Sequence, residues 1–175
     1  MWTEAEKIHM ALLERWRSAM NLVGPGPVES HFVDAAGAVE GLNARGRWVD
    51  LGSGAGFPGI ALASRHPEAF VLLVESRAKR ATFLKTVLRE SGLSNLEVFH
   101  GRTEDVSPGF DGVISRAYRP PDLYLDDARR LLSADGVAIL LSGEPPASFD
   151  GWIQGSTATY PVEGGTRVRT LFRRA

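Results

Sequence analysis

A strand that runs into a glycine-rich turn and then a helix constrains this chain more than any other feature. Residues 49–60 read Val-Asp-Leu-Gly-Ser-Gly-Ala-Gly-Phe-Pro-Gly-Ile, so that Gly52, Gly54, Gly56 and Gly59 fall within eight residues. Glycine is needed where the backbone takes positive φ or approaches a ligand with no Cβ in the way, and an ordinary turn does not call for four of them. Pro58 suits the first turn of the following helix, where its missing N–H has no partner to lose. The segment predicts a parallel α/β sheet with a ligand at the C-terminal edge of its strands, against the start of a helix.

Around this segment short apolar runs alternate with helical stretches, the pattern of a parallel sheet covered by helices. Strands are predicted at 48–51, 70–75, 96–99, 112–115 and 137–141, with helices at 58–65, 79–91 and 121–132 between them. Residues 157–162 and 167–172 also read as strands, separated only by Glu163-Gly164-Gly165-Thr166, which predicts a terminal antiparallel hairpin. Ahead of the sheet, Ile8, Leu12, Trp16 and Met20 recur about once per helical turn between Thr3 and Asn21, with Glu4, Glu14, Arg15 and Arg17 on other faces. That helix must stop at Gly24-Pro25-Gly26-Pro27, and a second is predicted at 29–42. The expectation is one α/β domain, with a helical extension over residues 1–46 and a ligand-binding core over 47–175.

Composition narrows the chemistry. The 175 residues carry 20 Lys and Arg against 21 Asp and Glu, a formal net charge of −1, and are 43% hydrophobic and 23% charged. These proportions fit neither a disordered nor a fibrous chain, and the length suffices for a core without disulfides or structural metal. There is no cysteine, which excludes a disulfide framework, a thiolate nucleophile and Cys-ligated zinc or iron–sulfur centres. The first ten residues carry acids rather than a basic segment ahead of an apolar one, and no apolar run nears the roughly 18 residues that span a bilayer. A cytoplasmic protein without membrane contact is expected.

Two kinds of cofactor suit the loop. Gly54-x-Gly56-x-x-Gly59 matches the dinucleotide fingerprint, and Glu75 ends the next strand, where a ribose-binding carboxylate belongs. A dinucleotide loop usually places its first glycine directly after the strand, however, and here Gly52 holds that place. The spacing Asp50-x-Gly52-x-Gly54-x-Gly56 resembles motif I of the class I S-adenosylmethionine (SAM) methyltransferases, whose fold is Rossmann-like: a mostly parallel seven-stranded sheet with a terminal antiparallel hairpin. The resemblance implies that the loop passes the amino-acid and ribose parts of SAM, that an acid at Asp50 favours its ammonium, and that Glu75 takes the ribose hydroxyls. Glu75 serves both readings and does not separate them.

Longer strings resemble one family in particular. These are Trp16 with Asn21-Leu22, His31 and Asp34, the loop from Asp50 to Ile60, Glu75-Ser76, Lys79-Arg80, Phe83-Leu84, Arg102-Thr103-Glu104 and Phe110-Asp-Gly-Val-Ile-Ser-Arg-Ala117. In order and spacing, over residues 12–143, they are similar to the bacterial small-subunit ribosomal RNA guanine-N7 methyltransferases, the RsmG or glucose-inhibited division protein B type. The resemblance implies SAM as cofactor, held by Asp50, Gly52, Gly54, Gly56, Phe57, Glu75, Ser76, Thr103, Glu104 and Arg116. It implies 16S ribosomal RNA, or the small subunit that contains it, as partner. Arg102 and Arg116 become the candidates for catalysis and RNA handling, and Asn21, His31, Lys79 and Arg80 fall on the substrate side. Tyr118, directly after Arg116-Ala117, is a candidate to stack on a flipped guanine. Two departures stand out: members usually carry more helix before the Trp16 region, and a Leu-Lys-Gly-like string at the end of the fifth strand is here Leu141-Ser142-Gly143.

The chemistry agrees with an acceptor of this kind. Guanine N7 is an unprotonated acceptor on the major-groove edge, so its methylation asks for alignment and exclusion of water rather than a general base or a metal. Related enzymes that act on exocyclic amines carry an Asn/Asp-Pro-Pro-aromatic string after the fourth strand, where this chain has Ser115-Arg116-Ala117-Tyr118, and pyrimidine C5 enzymes need a cysteine nucleophile, which this chain lacks. The balanced total charge conceals a basic run from Arg77 to Arg89, with Lys79, Arg80 and Lys85 and no acid, and another at Arg167, Arg169, Arg173 and Arg174. Either run can meet RNA or simply face solvent.

Plainer readings stand beside these: Arg116 as an ion-pair partner of Glu104 or Asp111, and His31 with Asp34 as a hydrogen-bonded pair one helical turn apart. His9, His66 and His100 read as exposed or capping residues. Rival functions are a methyltransferase for another RNA or a small molecule, a non-catalytic SAM- or nucleotide-binding module, and a dinucleotide oxidoreductase. No metal is expected, and the chain is expected to be a monomer.

Overall fold

The alternation of apolar runs resolves into seven strands and five helices in a computed structural model that describes residues 1–175. Strands β1 (Gly46–Leu51), β2 (Ala69–Glu75), β3 (Leu96–His100), β4 (Phe110–Ile114) and β5 (Leu132–Ser142) run parallel. Strand β7 (Gly165–Arg174) lies antiparallel to β5, and β6 (Trp152–Val162) pairs antiparallel with β7 at the edge. The order across the sheet is β3-β2-β1-β4-β5-β7-β6. The order in which successive strands are added reverses between β1 and β4, so a crevice opens beyond their carboxyl ends, the place where open α/β sheets bind ligands.

The sheet separates two cores because alternate strand residues point to opposite faces. On one side, Trp48, Val71 and Leu73 pack with Leu13, Phe32, Phe57, Ile60 and Phe83, beneath helices α1 (Glu4–Met20), α2 (Val28–Val39), α3 (Gly59–Arg65) and α4 (Ala78–Ser91). On the other, Val49, Leu51, Val74 and Phe172 pack with Tyr124, Leu125 and Leu131 of α5 (Pro121–Leu131). The Tyr124 hydroxyl donates to the carbonyls of Val113 and Ile139, which ties α5 to β4 and β5.

Helix α1 starts with a reciprocal cap: Thr3 Oγ1 accepts from the Glu6 amide, and the Glu6 carboxylate accepts from the Thr3 amide. Its fully buried line is Ala5, Glu6, His9 and Leu13, one position on from the predicted Ile8-Leu12-Trp16-Met20 stripe, which is partly buried. The stripe shifts because two polar residues are satisfied inside: Arg65 grips Glu6 through Nε and Nη2 at 2.6 and 2.9 Å, and His9 reaches a loop carbonyl. Helix α2 stops at Val39 rather than 42, because Glu40 leaves the helical region and Gly41 turns to φ +71°.

The terminal hairpin turns on Glu163-Gly164 alone, with Gly164 at φ +78°, so both strands run longer than predicted. It is joined to the N-terminal helices at close quarters, since a Cβ on Gly37 of α2 would lie 2.2 Å from the Tyr160 ring of β6. Helices α1 and α2 therefore share one core with α3, α4 and the sheet.

Phe32 is the hinge of that core, meeting Trp2, His9 and Phe57 at centroid distances of 6.1, 4.9 and 4.9 Å. Phe32→Ala is expected to cost about 3–5 kcal/mol of stability. Urea unfolding at neutral pH checks this through a lower midpoint at unchanged slope.

Candidate functional site

Beyond β1 the backbone turns through Gly52, at φ +65°, and Gly54, at φ +57°. Neighbouring elements hold this turn rather than the turn itself. The Gly54 amide donates to Glu75 Oε2 at 2.8 Å, and Glu75 Oε1 accepts from the Arg77 amide at the same distance. His9 is fully buried and its Nε2 lies 2.7 Å from the Ala55 carbonyl. A carbonyl only accepts, so the ring is the neutral Nε2–H tautomer, in keeping with a pKa pushed down to about 4 by burial. His9 is thus neither exposed nor a cap, contrary to expectation. A helix pattern cannot show which polar residue has found a partner 46 residues away.

A cleft of about 230 Å³ opens over the turn. Gly52 and Val74 form its floor, Ser76 with Gly101, Arg102, Thr103 and Glu104 one wall, and Tyr118 with Arg119 the other. The structure thereby brings together Gly52, Ser76, Arg102, Thr103, Glu104 and Tyr118, drawn from the ends of β1, β2, β3 and β4, with Glu75 buried directly behind. Backbone without a side chain at Gly52, carboxylates at Glu75 and Glu104, and hydroxyls at Ser76 and Thr103 suit a ligand that carries ribose hydroxyls and a purine. The donor set fits a nucleoside cofactor.

Besides Glu75 and Gly54, whose amide Glu75 holds, four predicted cofactor residues, Asp50, Gly56, Phe57 and Arg116, lie outside the cleft lining. Asp50 is fully buried, and its Oδ2 accepts from the Gly59 amide at 2.9 Å while Oδ1 has no partner. Burial pushes its pKa up to about 8, so it is a mostly protonated strut at the start of α3, not a counter-ion for an ammonium in the cleft. Gly56 is there for packing: an added Cβ would meet Ile60 at 2.3 Å. Phe57 is buried against Phe32 and carries the Arg116 guanidinium 4.7 Å above its ring. It supports the site from below.

Arg116 follows β4 and is largely buried, its Nη1 donating to Asp34 Oδ2 at 3.1 Å. Asp34 also accepts from the Tyr160 hydroxyl at 3.1 Å and pairs with Arg167 Nε at 3.1 Å. This replaces both plainer readings. Glu104 pairs with Arg119 instead, Asp111 accepts from the Arg47 amide, and His31 does not bond Asp34 but stacks on Phe57 at 5.7 Å. Burial, then the charge of Arg116, holds His31 below its usual pKa.

The remaining predicted substrate residues line one rim. Asn21 ends α1 in the left-handed region, and Arg80 of α4 donates to its carbonyl at 3.3 Å. Lys79 is exposed beside it, on the basic run that faces solvent. The tail arginines are mostly structural: Arg167 binds Asp34, Arg169 donates to carbonyls at the end of α2, and Arg174 donates to the Ser133 carbonyl. His66 bonds the Val39 carbonyl and His100 is exposed. No group of three or more His, Asp or Glu side chains is placed to hold a metal.

The family model GidB, described as rRNA small subunit methyltransferase G, matches residues 3–149. The chain belongs to the GidB family. A ribosomal RNA small subunit methyltransferase G of Pseudomonas fluorescens (strain Pf0-1) is 36% identical over 145 residues, 79% of this chain and 67% of that protein. The protein of the same name from Pseudomonas paraeruginosa (strain DSM 24068 / PA7) is 34% identical over 154 residues, 82% of this chain and 72% of the relative. Among solved structures, M. jannaschii TYW2 in complex with AdoMet superposes with a TM-score of 0.65 at 18% identity, covering 84% of this chain and 77% of its own. MtNAS in complex with MTA and tNA gives a TM-score of 0.64 at 18% identity over 98% of this chain and 69% of its own. These two share the fold. The GidB match ends just before β6, so the hairpin that supplies Tyr160 and Arg167 lies beyond it.

The position of Asp50 makes a pH prediction. Its pKa is raised from 3.8 to about 8 on folding, so the native state holds the proton more tightly than the unfolded chain. Its contribution to stability is fully present below pH 3.8 and declines as pH rises towards 8. Asp50→Asn keeps an acceptor for Gly59 and removes that decline. Urea midpoints from pH 5 to 8 should fall less steeply in the variant than in the unaltered protein.

Proposed function

We propose that this member of the GidB family transfers the methyl group of SAM to N7 of a guanine in 16S ribosomal RNA. It acts as a monomer in the cytoplasm, with residues 47–175 as the catalytic core and 1–46 as part of the substrate platform. Family membership makes it a SAM-dependent methyltransferase of small-subunit ribosomal RNA. The single observation that carries the finer reading is Arg116, which follows β4 two residues before the cleft wall at Tyr118 and is held by Asp34.

SAM supplies an electrophilic methyl group, and the residues of this chain supply position. Glu75 and the Gly52–Gly54 turn hold the ribose side, and Ser76, Thr103 and Glu104 the adenine side. N7 carries no proton, so no residue has to remove one. A guanidinium offers donors only: Arg116 can grip guanine O6 or a phosphate while leaving N7 free, and Arg102, exposed on the cleft wall, can do the same from the other side. Phe57 beneath Arg116 keeps water from that side of the base. Lys79, Arg80, Asn21 and His31 extend the rim along which an RNA strand can run.

A second reading has one observation in its favour. Ser142, standing where the family usually has lysine, donates to the Glu144 carbonyl and offers no cation, which suits another RNA or a small molecule as acceptor. Small subunits lacking the modification, incubated with labelled SAM and mapped by reductive cleavage at N7-methylguanine, separate the two. Label at one guanine of 16S RNA is expected; unlabelled ribosomal RNA with SAM binding intact would sink the claim. Arg116→Ala should slow transfer by roughly 10²-fold or more while SAM affinity stays within about threefold, since a guanidinium that acts on substrate leaves cofactor binding alone. Glu75→Ala should do the reverse, weakening SAM in a calorimetric titration by roughly tenfold.

A further inference from the structure

Residues 116–119 are pinned at both ends. Arg116 is bound to Asp34, and Arg119 bridges Glu104 and Asp127 at 2.9 and 3.0 Å. Between these anchors Ala117 takes φ +55°, one of two non-glycine residues in the left-handed region. For an alanine that conformation costs roughly 1–2 kcal/mol, and Ala117 is exposed, with no ligand of its own to justify it. Its effect is to turn Tyr118 inward.

The ring then lies on Gly52. A Cβ at that glycine would sit 2.5 Å from Tyr118 Cδ2, so the ring fills the space that the absence of a side chain leaves. The Tyr118 hydroxyl donates to Thr103 Oγ1 at 2.7 Å. Tyr118 thus rests on the glycine whose bare backbone suits the cofactor and is latched to a residue expected at the adenine. The ring covers the side of Gly52 from which a Cβ would project, while the rest of that glycine lines the cleft, so a ligand that needs that side has to displace it.

We infer that Tyr118 is a gate over the cofactor cleft, closed on Gly52 and Thr103 in the free protein and displaced when SAM binds. The inference rests on the cofactor reading of the cleft. The closed arrangement prevails in the free protein, and strain at Ala117, which opposes the hydrogen bond to Thr103, keeps the margin small enough for the ring to leave without unfolding its neighbours. Displacement returns Ala117 to an ordinary conformation and swings the ring to the side of Arg116. There it can stack on a guanine, a role that the closed position denies it. SAM thereby precedes the base.

Apparent affinity falls by the fraction of molecules that are open, and two substitutions shift that fraction in opposite directions. Tyr118→Phe removes the latch and keeps the ring. Ala117→Gly relieves the strain of the closed form. Calorimetric titration of the full chain with SAM should show binding up to about fivefold tighter in Tyr118→Phe, the value of one net hydrogen bond. Binding should be weaker by roughly fivefold in Ala117→Gly, with thermal melts confirming that both variants fold. That pair of signs supports the gate, and any other pair overturns it. If the unaltered chain binds SAM and Tyr118→Phe gains nothing, the gate alone fails; if the unaltered chain does not bind SAM, the cofactor reading falls and the gate with it.

Discussion

One buried carboxylate joins the three parts of the molecule that have to act together. Asp34 stands on α2; its oxygens accept from Arg116 at the end of β4 and from Tyr160 of β6, and it forms an ion pair with Arg167 of β7. A carboxylate so enclosed is strongly unfavourable alone, and removing one partner from such a cluster costs far more than an exposed ion pair contributes. The cluster therefore forces helix, central strand and terminal hairpin into one arrangement. It also leaves one positive charge uncompensated, two guanidiniums against one carboxylate, on the side of the cleft where the proposed acceptor is a polyanion.

The cofactor turn depends on the same kind of support. Glu75 takes the Gly54 amide, Asp50 takes the Gly59 amide, and His9 donates to the Ala55 carbonyl. Three polar side chains, all buried, convert a glycine-rich segment with high intrinsic freedom into a fixed cradle. The cost of ordering such a segment is met in advance by the scaffold, so a ligand does not have to meet it on binding.

The fold was legible because its signals are local. Strand and helix periodicities found each strand and helix in its place along the chain, and the misses have physical causes: a two-residue turn at Glu163-Gly164 lengthened the hairpin, α5 passes straight into the extended backbone at Leu132 so that β5 starts five residues before the expected 137, and Gly41 shortened α2. Of the candidate residues, Gly52, Ser76, Arg102, Thr103, Glu104 and Tyr118 come together in one cleft, because they follow strand ends that the topology sets side by side. Asp50, Gly56 and Phe57 sit in the same motif yet serve the cradle from behind. Spacing along a chain cannot distinguish a residue that touches a ligand from one that holds the residue that does. His9 and Tyr160 gave no signal, because each acquires its role from a partner remote in sequence.

The chain by itself determined the sheet, the turn and the absence of any cysteine chemistry, since these follow from backbone preferences and composition. It also showed that a net charge of −1 hides segregated basic runs. Only the tertiary structure decided which of those arginines are free. Packing gave Arg167, Arg169 and Arg174 to buried or backbone acceptors and, among the basic side chains of the other run, left Arg77, Lys79 and Lys85 to solvent. Hydrogen-bond satisfaction in a closed core is a property of the whole fold, and no run of residues carries it alone.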